Sequence, residues 1–153
     1  MKVLLITNIF PPKTGGAASN YNFFMENLYK NKICKKIIIL TSYDKTKPFV
    51  EKQRNNKIII FRLLNYKMFG NRFIKLVVMF LELFQNLIFS IYLKFVRIDV
   101  TQIHSDSIYS FNGKIINYSF LFFKNLSKKS ILDIRDKLSV PKKDIGFDKY
   151  LVN

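Results

Sequence analysis

The stretch that decides the fold is residues 2–8, KVLLITN, an unbroken apolar run that ends in polar residues. Such a run is typical of a strand buried on both faces, because helices cover both faces of a parallel sheet. Two later stretches have the same form, KKIIILT at residues 35–41 and KIIIFRLL at residues 57–64. The first half of the chain therefore predicts three strands of a buried sheet.

The rest of the chain alternates strand and helix patterns. Further strands are predicted at residues 99–105, DVTQIHS, and at residues 130–136, SILDIRD. Helices are predicted from Ser19 or Asn20 to residue 32, over residues 71–97, and from Asn112 or Gly113 to residue 128. Strands that alternate with helices predict an α/β fold, a Rossmann-like open parallel sheet flanked by helices. The predicted domain covers residues 1–140, and residues 141–153 are expected to form an irregular end.

The composition is that of a folded protein with a strong excess of positive charge. Of 153 residues, 49% are hydrophobic, which excludes a disordered chain and allows one domain of ordinary size. Lys and Arg number 26 against 10 Asp and Glu, and the net charge of +16 favours anionic partners. A+T-rich codons would produce the same excess of Lys, Asn, Ile, Phe and Tyr, and both explanations stay open. Because the basic residues are spread along the chain without a nucleic-acid-binding motif, no nucleic-acid partner is expected.

Single residues limit the possible chemistry. The one cysteine, Cys34, excludes a disulfide framework and is expected to be a buried apolar residue rather than a reactive thiol. The one histidine, His104, excludes a zinc site built on histidines, and no metal is expected. The first apolar run is short and is followed by Pro11-Pro12, which does not fit an export signal, so a cytoplasmic location is expected.

Residues 71–97 form the longest helical pattern of the chain. Polar and charged residues fall in one half of this helix, namely Arg72, Lys75, Glu82, Gln85, Asn86, Ser90, Lys94 and Arg97, and the other half is apolar. A transmembrane span is not expected, because Glu82 lies near the middle and the longest uncharged stretch covers only residues 83–93.

Two candidate ligand groups lie where the predicted strands end, the edge at which open parallel sheets bind ligands. Gly15 and Gly16 follow the first strand and would either let backbone N–H groups approach a phosphate or form a plain tight turn. His104 ends the fourth strand. An imidazole titrates near neutral pH and could act as an acid or base, although a lone histidine is more often structural.

A third group of charged residues, Asp133, Arg135 and Asp136, ends the fifth predicted strand. Charges at this place can form an ion pair that fixes the following loop. They can equally bind a ligand, with the Arg135 guanidinium donating hydrogen bonds to phosphate or sugar oxygens. Both interpretations stay open.

In their order along the chain, these motifs resemble the N-terminal domain of a family 4 glycosyltransferase, one half of the two-domain GT-B fold. KVLLITNIFPPKTGGAASNYNFFMENL is similar to that family's opening strand, proline-bearing loop, Gly-Gly pair and helix. DVTQIHSDS is similar to its fourth-strand region, where a histidine lies beside the sugar-transfer site. ILDIRD is similar to a segment that often reads DIRD before Trp-Pro, but Lys137-Leu138 follows here.

The resemblance implies an acceptor-side domain that helps to transfer sugar from a nucleotide-sugar to a glycan or lipid-linked acceptor, with retention of configuration and no required metal or other cofactor. It implies His104 at the transfer site, Gly15 and Gly16 near the donor, and Asp133, Arg135 and Asp136 in the acceptor crevice. Because few residues follow Asp136 in this sequence, the family's second, donor-binding domain is expected to be absent from it. Three explanations stay open: a truncated product, half of a split enzyme with a separate donor-binding chain, or a domain reused for binding. The chain alone is expected to be inactive. A non-catalytic membrane- or partner-binding α/β module is the alternative.

The resemblance also bears on residues 71–97. Many members of the family act on lipid-linked acceptors at the cytoplasmic membrane face, which implies a peripheral membrane location. The helix could then lie in the bilayer interface, where anionic lipids attract basic residues. The contacts expected in that case are Arg72, Lys75, Phe80, Phe84, Lys94 and Arg97. The competing interpretation, a crossover helix whose apolar half packs on the sheet, is favoured because a parallel sheet requires such a crossover.

Overall fold

The computed structural model describes residues 1–7, 10–12, 16–64, 70–104, 109–111, 114–116, 122–123 and 125–133. Along these residues the elements are β1 (Lys2–Ile6), α1 (Gly16–Lys30), β2 (Lys36–Ser42), β3 (Val50–Gln53), β4 (Ile58–Leu63), α2 (Arg72–Val96), β5 (Ile98–His104), β6 (Tyr109–Phe111), β7 (Lys114–Ile116) and β8 (Ser127–Asp133). The long apolar strands lie within the runs of Ile, Leu and Val that predict them.

Six of the described strands form one sheet in the order β3-β4-β2-β1-β5-β8. Neighbouring strands are parallel except for β3, which runs antiparallel to β4 at one edge. From β1 the chain builds outward through β2 and β4, and it then continues on the other side with β5 and β8. The order of strands therefore reverses between β1 and β5. The predicted α/β fold with an open, mostly parallel sheet is confirmed.

The sheet carries an apolar layer on each face. The layer on the face of α1 contains Val3, Leu5, Phe10, Tyr21, Met25, Cys34, Ile37, Ile39, Ile58 and Ile60. The layer on the face of α2 contains Leu4, Ile6, Ile38, Leu40, Leu63, Leu93, Ile98, Ile103 and Phe123. Successive side chains of a strand point to opposite faces, so the central strands are buried on both sides, as their unbroken apolar runs predict. Cys34 belongs to the first layer, which confirms the prediction that it is buried.

The ends of α2 agree closely with the sequence prediction for residues 71–97. The side chain of Asn71 caps the first turn and accepts hydrogen bonds from the backbone N–H groups of Phe73 (2.8 Å) and Ile74 (3.5 Å). The helix ends at Arg97, whose φ of 59° is left-handed and whose N–H donates back to the carbonyls of Leu93 and Lys94. Both ends are therefore set by residues next to the helix.

Two elements begin several residues away from their predicted starts, and one strand was not predicted. Helix α1 begins at Gly16 rather than at Ser19 or Asn20. Strand β3 lies in a segment with no strand prediction, because VEKQ is polar and short, as suits an exposed edge strand. Strand β8 begins at Ser127, three residues before the predicted start, since pairing with β5 extends it into a lysine-rich segment. Residues 134–136 of the predicted strand lie outside the described residues.

The predicted helix from Asn112 or Gly113 to residue 128 is wrong at residues 114–116 and 127–128, which belong to strands, whereas residues 122–123 are helical. β6 and β7 pair antiparallel, with Tyr109 opposite Ile116. Aromatic and β-branched residues favour strands, and Asn-Gly between two such runs is a strong hairpin signal in a sequence. Residues 117–121 and the predicted irregular end at residues 141–153 lie outside the described residues.

Candidate functional site

The strand register brings His104 and Asp133 together at the carboxyl edge of the sheet, beside the chain that leaves β1. Ile6 of β1 pairs with Ile103 of β5, which places the chain leaving β1 beside His104. On its other side, β5 pairs with β8, and His104 lies opposite Asp133. The reversal of strand order between β1 and β5 therefore occurs beside His104. This is the place at which open α/β sheets form their ligand crevice.

His104 lies at this edge but beneath α1. Its side chain is 2% exposed. Its ring lies 5.1 Å from the ring of Tyr21, centroid to centroid, with the two planes at 88°. Tyr21 is in α1 and is fully buried. The imidazole therefore packs against α1 through Tyr21 and is almost fully shielded from solvent.

The glycine pair is described in part. Gly16 is the first residue of α1, so the N-terminus of that helix follows the carboxyl end of β1 after a short connection. The unsatisfied N–H groups of a helix N-terminus favour anions. Gly15 lies outside the described residues, as do Arg135 and Asp136, whereas Asp133 ends β8.

Arg62 is a buried charged residue that the sequence analysis did not single out. Its side chain is 2% exposed, and its Nη2 lies 2.8 Å from Oε2 of Glu51, in the neighbouring strand β3. The Nη1 atom donates to the carbonyl of Pro48 at 3.2 Å. The signal available in the sequence was the arginine inside the apolar run KIIIFRLL, which needs a partner if that run is buried.

Glu51 completes a small polar cluster beside Arg62. The Nε2 of Gln53 donates to Oε1 of Glu51 at 2.6 Å. This hydrogen bond, together with the Arg62 guanidinium, holds the pKa of the Glu51 carboxyl below its ordinary value, against the opposing effect of burial. A cleft of about 140 Å³ opens over the cluster, with Pro11, Pro12 and Asn22 also in its wall. The cleft thus lies between the cluster and the chain leaving β1.

Helix α2 turns its polar half, rather than its apolar half, toward the sheet. Its buried residues are Val78, Asn86, Ser90 and Leu93. Its exposed large side chains are Phe73, Ile74, Leu76, Val77, Phe80, Leu81, Phe84, Leu87, Ile88, Ile91, Tyr92 and Phe95. Helix α2 connects β4 to β5 as the predicted crossover, but the interpretation that its apolar half packs on the sheet is wrong. The physical reason is that Asn86 and Ser90 are small enough to lie against the sheet, with Ser90 Oγ donating to the carbonyl of Leu87 at 2.8 Å.

The outward half of α2 forms an apolar surface that we call the α2 band, the exposed large side chains of residues 73–95. Phe80 and Phe84 in its centre are 65% and 63% exposed. Arg72, Lys94 and Arg97 at the two ends are also exposed, and Lys75 is half-buried. In the part of the chain that the structure describes, α2 is the one helix long and apolar enough to cross a membrane by length and composition. Its mean hydropathy reaches 1.9.

Within the described ranges, no three His, Cys, Asp or Glu side chains group closely enough to hold a metal ion. Comparisons of the chain with protein-family models, with curated proteins and with solved structures find no match.

Proposed function

We propose that this chain is the acceptor-side domain of a family 4 glycosyltransferase that works at a membrane surface. The observation that carries the proposal is the meeting, at the carboxyl edge, of the chain leaving β1, His104 and Asp133. In open parallel sheets, ligands bind where the order of strands reverses, which is this place. The three motifs that resemble the family supply the reaction, sugar transfer from a nucleotide-sugar to a glycan or lipid-linked acceptor.

The residues at this edge would divide the work as follows. The N-terminus of α1 at Gly16 would face the negatively charged donor, since a helix N-terminus stabilises anions. His104, 2% exposed, would hold α1 and the chain leaving β1 in place through Tyr21. Asp133, with Arg135 and Asp136 beyond it, would form the acceptor crevice. A donor-binding domain, in the same or a separate chain, would hold the nucleotide.

A transfer assay tests this proposal. The chain is incubated with vesicles that carry a lipid-linked acceptor, with labelled UDP- and GDP-sugars, and with and without a family 4 donor-binding domain fused to its C-terminus. We expect label in the lipid fraction only when the donor-binding domain is supplied. Substitution of Asp133 by Asn should lower kcat/KM for the acceptor about tenfold or more, the loss of one charge-assisted hydrogen bond. Donor binding by the fusion without transfer to any acceptor would contradict the proposal.

The membrane part of the proposal rests on the α2 band. Soluble monomers rarely expose a contiguous apolar surface of this extent unless something covers it. Basic side chains flank the band at both ends, with Arg72 at the start and Lys94 and Arg97 at the end. Apolar residues beside basic ones are the pattern of a helix that lies in the interface of an anionic bilayer. We therefore propose an anionic lipid surface as the occupant of the α2 band.

The contacts of α2 with the sheet favour lying in the interface over crossing the bilayer. Leu93 is fully buried in the core layer with Leu4 and Ile6 of β1. The rings of Phe61 and Phe89 also meet edge to face, with their centroids 5.0 Å apart. A helix that keeps these contacts cannot leave the sheet to span a membrane. The proposed location is accordingly peripheral, on the cytoplasmic face.

Vesicle flotation tests the membrane contact. The chain should float with vesicles that contain anionic lipid and bind less to neutral ones, and the electrostatic part should vanish at 1 M salt, where screening acts within ~3 Å. The double substitution Phe80→Ser and Phe84→Ser should weaken binding at least about tenfold, since burial of each ring contributes about 1.5–3 kcal/mol. The matched control is Phe23→Ser in α1, which is 71% exposed on the other face of the sheet and should not change binding.

The two assays together separate the proposal from the alternative of a non-catalytic membrane-binding module. Flotation that depends on Phe80 and Phe84, without sugar transfer under any condition, would favour the binding module. Equal flotation of the double variant and the native chain, or none of either, would contradict a membrane role for the α2 band. Transfer without flotation would retain the glycosyltransferase and remove its membrane contact.

A further inference from the structure

The amino edge of the sheet, opposite the candidate site, collects basic residues. Parallel strands all begin at this edge, and several of them follow or begin with lysine. The helices of a parallel sheet end at the same edge. Residues of this kind are Lys2, Lys30, Lys35, Lys36, Arg54, Lys57, Lys94, Arg97, Lys128 and Lys129. The fold thus turns basic residues that are spread along the sequence into one charged edge.

A cleft of about 640 Å³ lies in this edge, between the end of α1, the start of β2 and the turn from β3 to β4. We call it the amino-edge cleft. Its lining residues are Tyr29, Lys30, Lys35, Lys36, Arg54, Asn55, Asn56 and Lys57. Among these described lining residues there is no Asp or Glu. The cleft therefore presents several positive charges and no negative side chain.

Two of the cations have structural roles that hold the wall of the cleft. Lys57 Nζ donates to the carbonyl of Tyr29 at 2.8 Å and lies 4.7 Å from the centre of its ring. Arg54 lies over the same ring, with Cζ 5.2 Å from its centre, and its Nη2 is 3.3 Å from Oε1 of Glu26. These contacts offset the partial negative charge of the carbonyl groups at the end of α1 and hold the ring of Tyr29 in place.

The other three cations, Lys30, Lys35 and Lys36, have no such role. In the described part of the chain their side chains make no hydrogen bond or ion pair. Lys30 and Lys35 are exposed and Lys36 is half-buried. Like charges held close together raise the free energy of the folded state unless a counter-ion joins them.

The turn from β3 to β4 supplies neutral polar groups to the cleft. Arg54, Asn55 and Asn56 all have positive φ, at 52°, 55° and 63°. Asn tolerates this left-handed conformation better than most residues, which accounts for its use here. The turn also places the amide side chains of Asn55 and Asn56 at the cleft, where they can donate hydrogen bonds.

From these observations we infer that the amino-edge cleft binds a compact oligophosphate, an anion with two or more phosphate groups close together. Three unpaired lysines match the charge of such an anion, and lysine ammonium groups and asparagine amides are donors that phosphate oxygens accept. A ligand with one negative charge would leave most of the cations unpaired. This site goes beyond the proposed function, since it lies at the opposite edge from the sugar-transfer site.

Titration calorimetry of the full chain with tripolyphosphate tests the inference. The ionic strength is 0.15 M, where screening acts within ~8 Å. The variant Lys35→Glu with Lys36→Glu removes two cations of the cleft. The matched control, Lys128→Glu with Lys129→Glu, makes the same change of charge on β8, which is three strands away, roughly 14 Å at the usual spacing of strands. All of these lysines except Lys36 are exposed. If the charge reversal disturbs folding, the neutral variant Lys35→Gln with Lys36→Gln replaces it.

We expect the native chain to bind tripolyphosphate in a one-to-one complex, and sulfate at least about tenfold more weakly, because sulfate carries fewer charges. The Lys35/Lys36 variants should weaken binding at least about tenfold, and the Lys128/Lys129 variant by less than about twofold, since its charges are screened. ATP should bind as tripolyphosphate does if the phosphates alone are recognised, and tighter binding of ATP would assign the site to a nucleotide. The inference would be overturned if neither tripolyphosphate nor ATP bound, or if the Lys35/Lys36 and Lys128/Lys129 variants lost the same amount of affinity.

Discussion

The imidazole of His104 meets the ring of Tyr21 edge to face, with centroids 5.1 Å apart and planes at 88°. This contact joins the carboxyl end of β5 to the second turn of α1. Because α1 follows the chain leaving β1, the contact also fixes the start of that helix relative to the edge where the candidate site lies. The one histidine of the chain is therefore part of the structure that supports this site.

A double-mutant cycle measures this contact. His104→Ala should lower the free energy of unfolding by about 3 kcal/mol, because it removes a buried ring and leaves a cavity. Combined with Tyr21→Leu, it should reveal a coupling energy of about 0.5–1.5 kcal/mol, the usual range for an aromatic pair. Urea denaturation of the four proteins provides the data. Additivity within about 0.3 kcal/mol would show that the two rings do not stabilise each other.

Substitutions in α2 should show the orientation of the helix. Leu93→Ala removes a fully buried side chain and should cost about 2–5 kcal/mol of the free energy of unfolding. Phe95→Ala, at a side chain that is 83% exposed, should cost less than about 0.5 kcal/mol. Urea denaturation in the absence of lipid compares the two. The opposite order would mean that the apolar half of α2 faces the sheet.

Loss of Glu51 and loss of Arg62, the two members of a buried ion pair, should lower the free energy of unfolding by different amounts. Glu51→Ala leaves the guanidinium of Arg62 buried without its carboxylate, and breaking a buried pair in this way costs about 3–5 kcal/mol. Arg62→Met leaves Glu51, whose side chain is 23% exposed and can be hydrated, so a smaller loss is expected. The two variants are compared by chemical denaturation at pH 7. A larger loss for Arg62→Met would contradict this order.

The stability of the protein should depend on the protonation of Glu51 in acid. Its pKa is lowered in the folded state, first by the hydrogen bond from Gln53 and further by Arg62. The contribution of Glu51 is therefore complete above its unfolded-state pKa and is lost as the pH falls through the folded-state pKa. Free energies of unfolding measured from pH 7 downward should fall less steeply in Glu51→Gln than in the native chain. Parallel curves for the two proteins would exclude this contribution.

Cys34 should react slowly with thiol reagents as long as the protein is folded. Burial raises the pKa of its thiol, against the smaller opposite effects of Lys57 and the N-terminus, so little of the reactive thiolate forms at neutral pH. The side chain is also 1% exposed. Labelling with a disulfide reagent at pH 7.5 should proceed at the rate at which the protein opens, and rise sharply in urea. Immediate labelling of the folded chain would show that the thiol is accessible.

The parts of the fold that the sequence predicts well are those with a single physical solution. Residues 3–6 of KVLLITN and residues 37–40 of KKIIILT are apolar without a break, and only a strand covered on both faces buries both sets of alternating side chains. The hairpin of β6 and β7 was missed because a short apolar run fits a helix or a strand equally well by periodicity, and the Asn-Gly pair between the two runs is the signal that favours the hairpin. β3 was missed because an edge strand needs no apolar pattern, only a partner such as β4.

The candidate site likewise has residues that the sequence predicts and contacts that it does not. Strand ends indicated His104 and Asp133, and the register of β5 and β8 places them opposite each other. Burial of His104 beneath Tyr21 is a tertiary contact between distant parts of the chain, with no signal in the local sequence. The pairing of Arg62 with Glu51 likewise depends on β3 folding back onto β4.

The sequence by itself determined the α/β fold, the five parallel strands and the length of α2, because each depends on the spacing of apolar residues along one segment. Only the tertiary structure decided which half of α2 meets the sheet. Helical periodicity fixes the angles between residues around the axis, but rotation of the whole helix about that axis is set by packing, here by Leu93, Asn86 and Ser90. The same holds for the amino-edge cleft, because lysines far apart in sequence become neighbours only when parallel strands begin at one edge of a sheet.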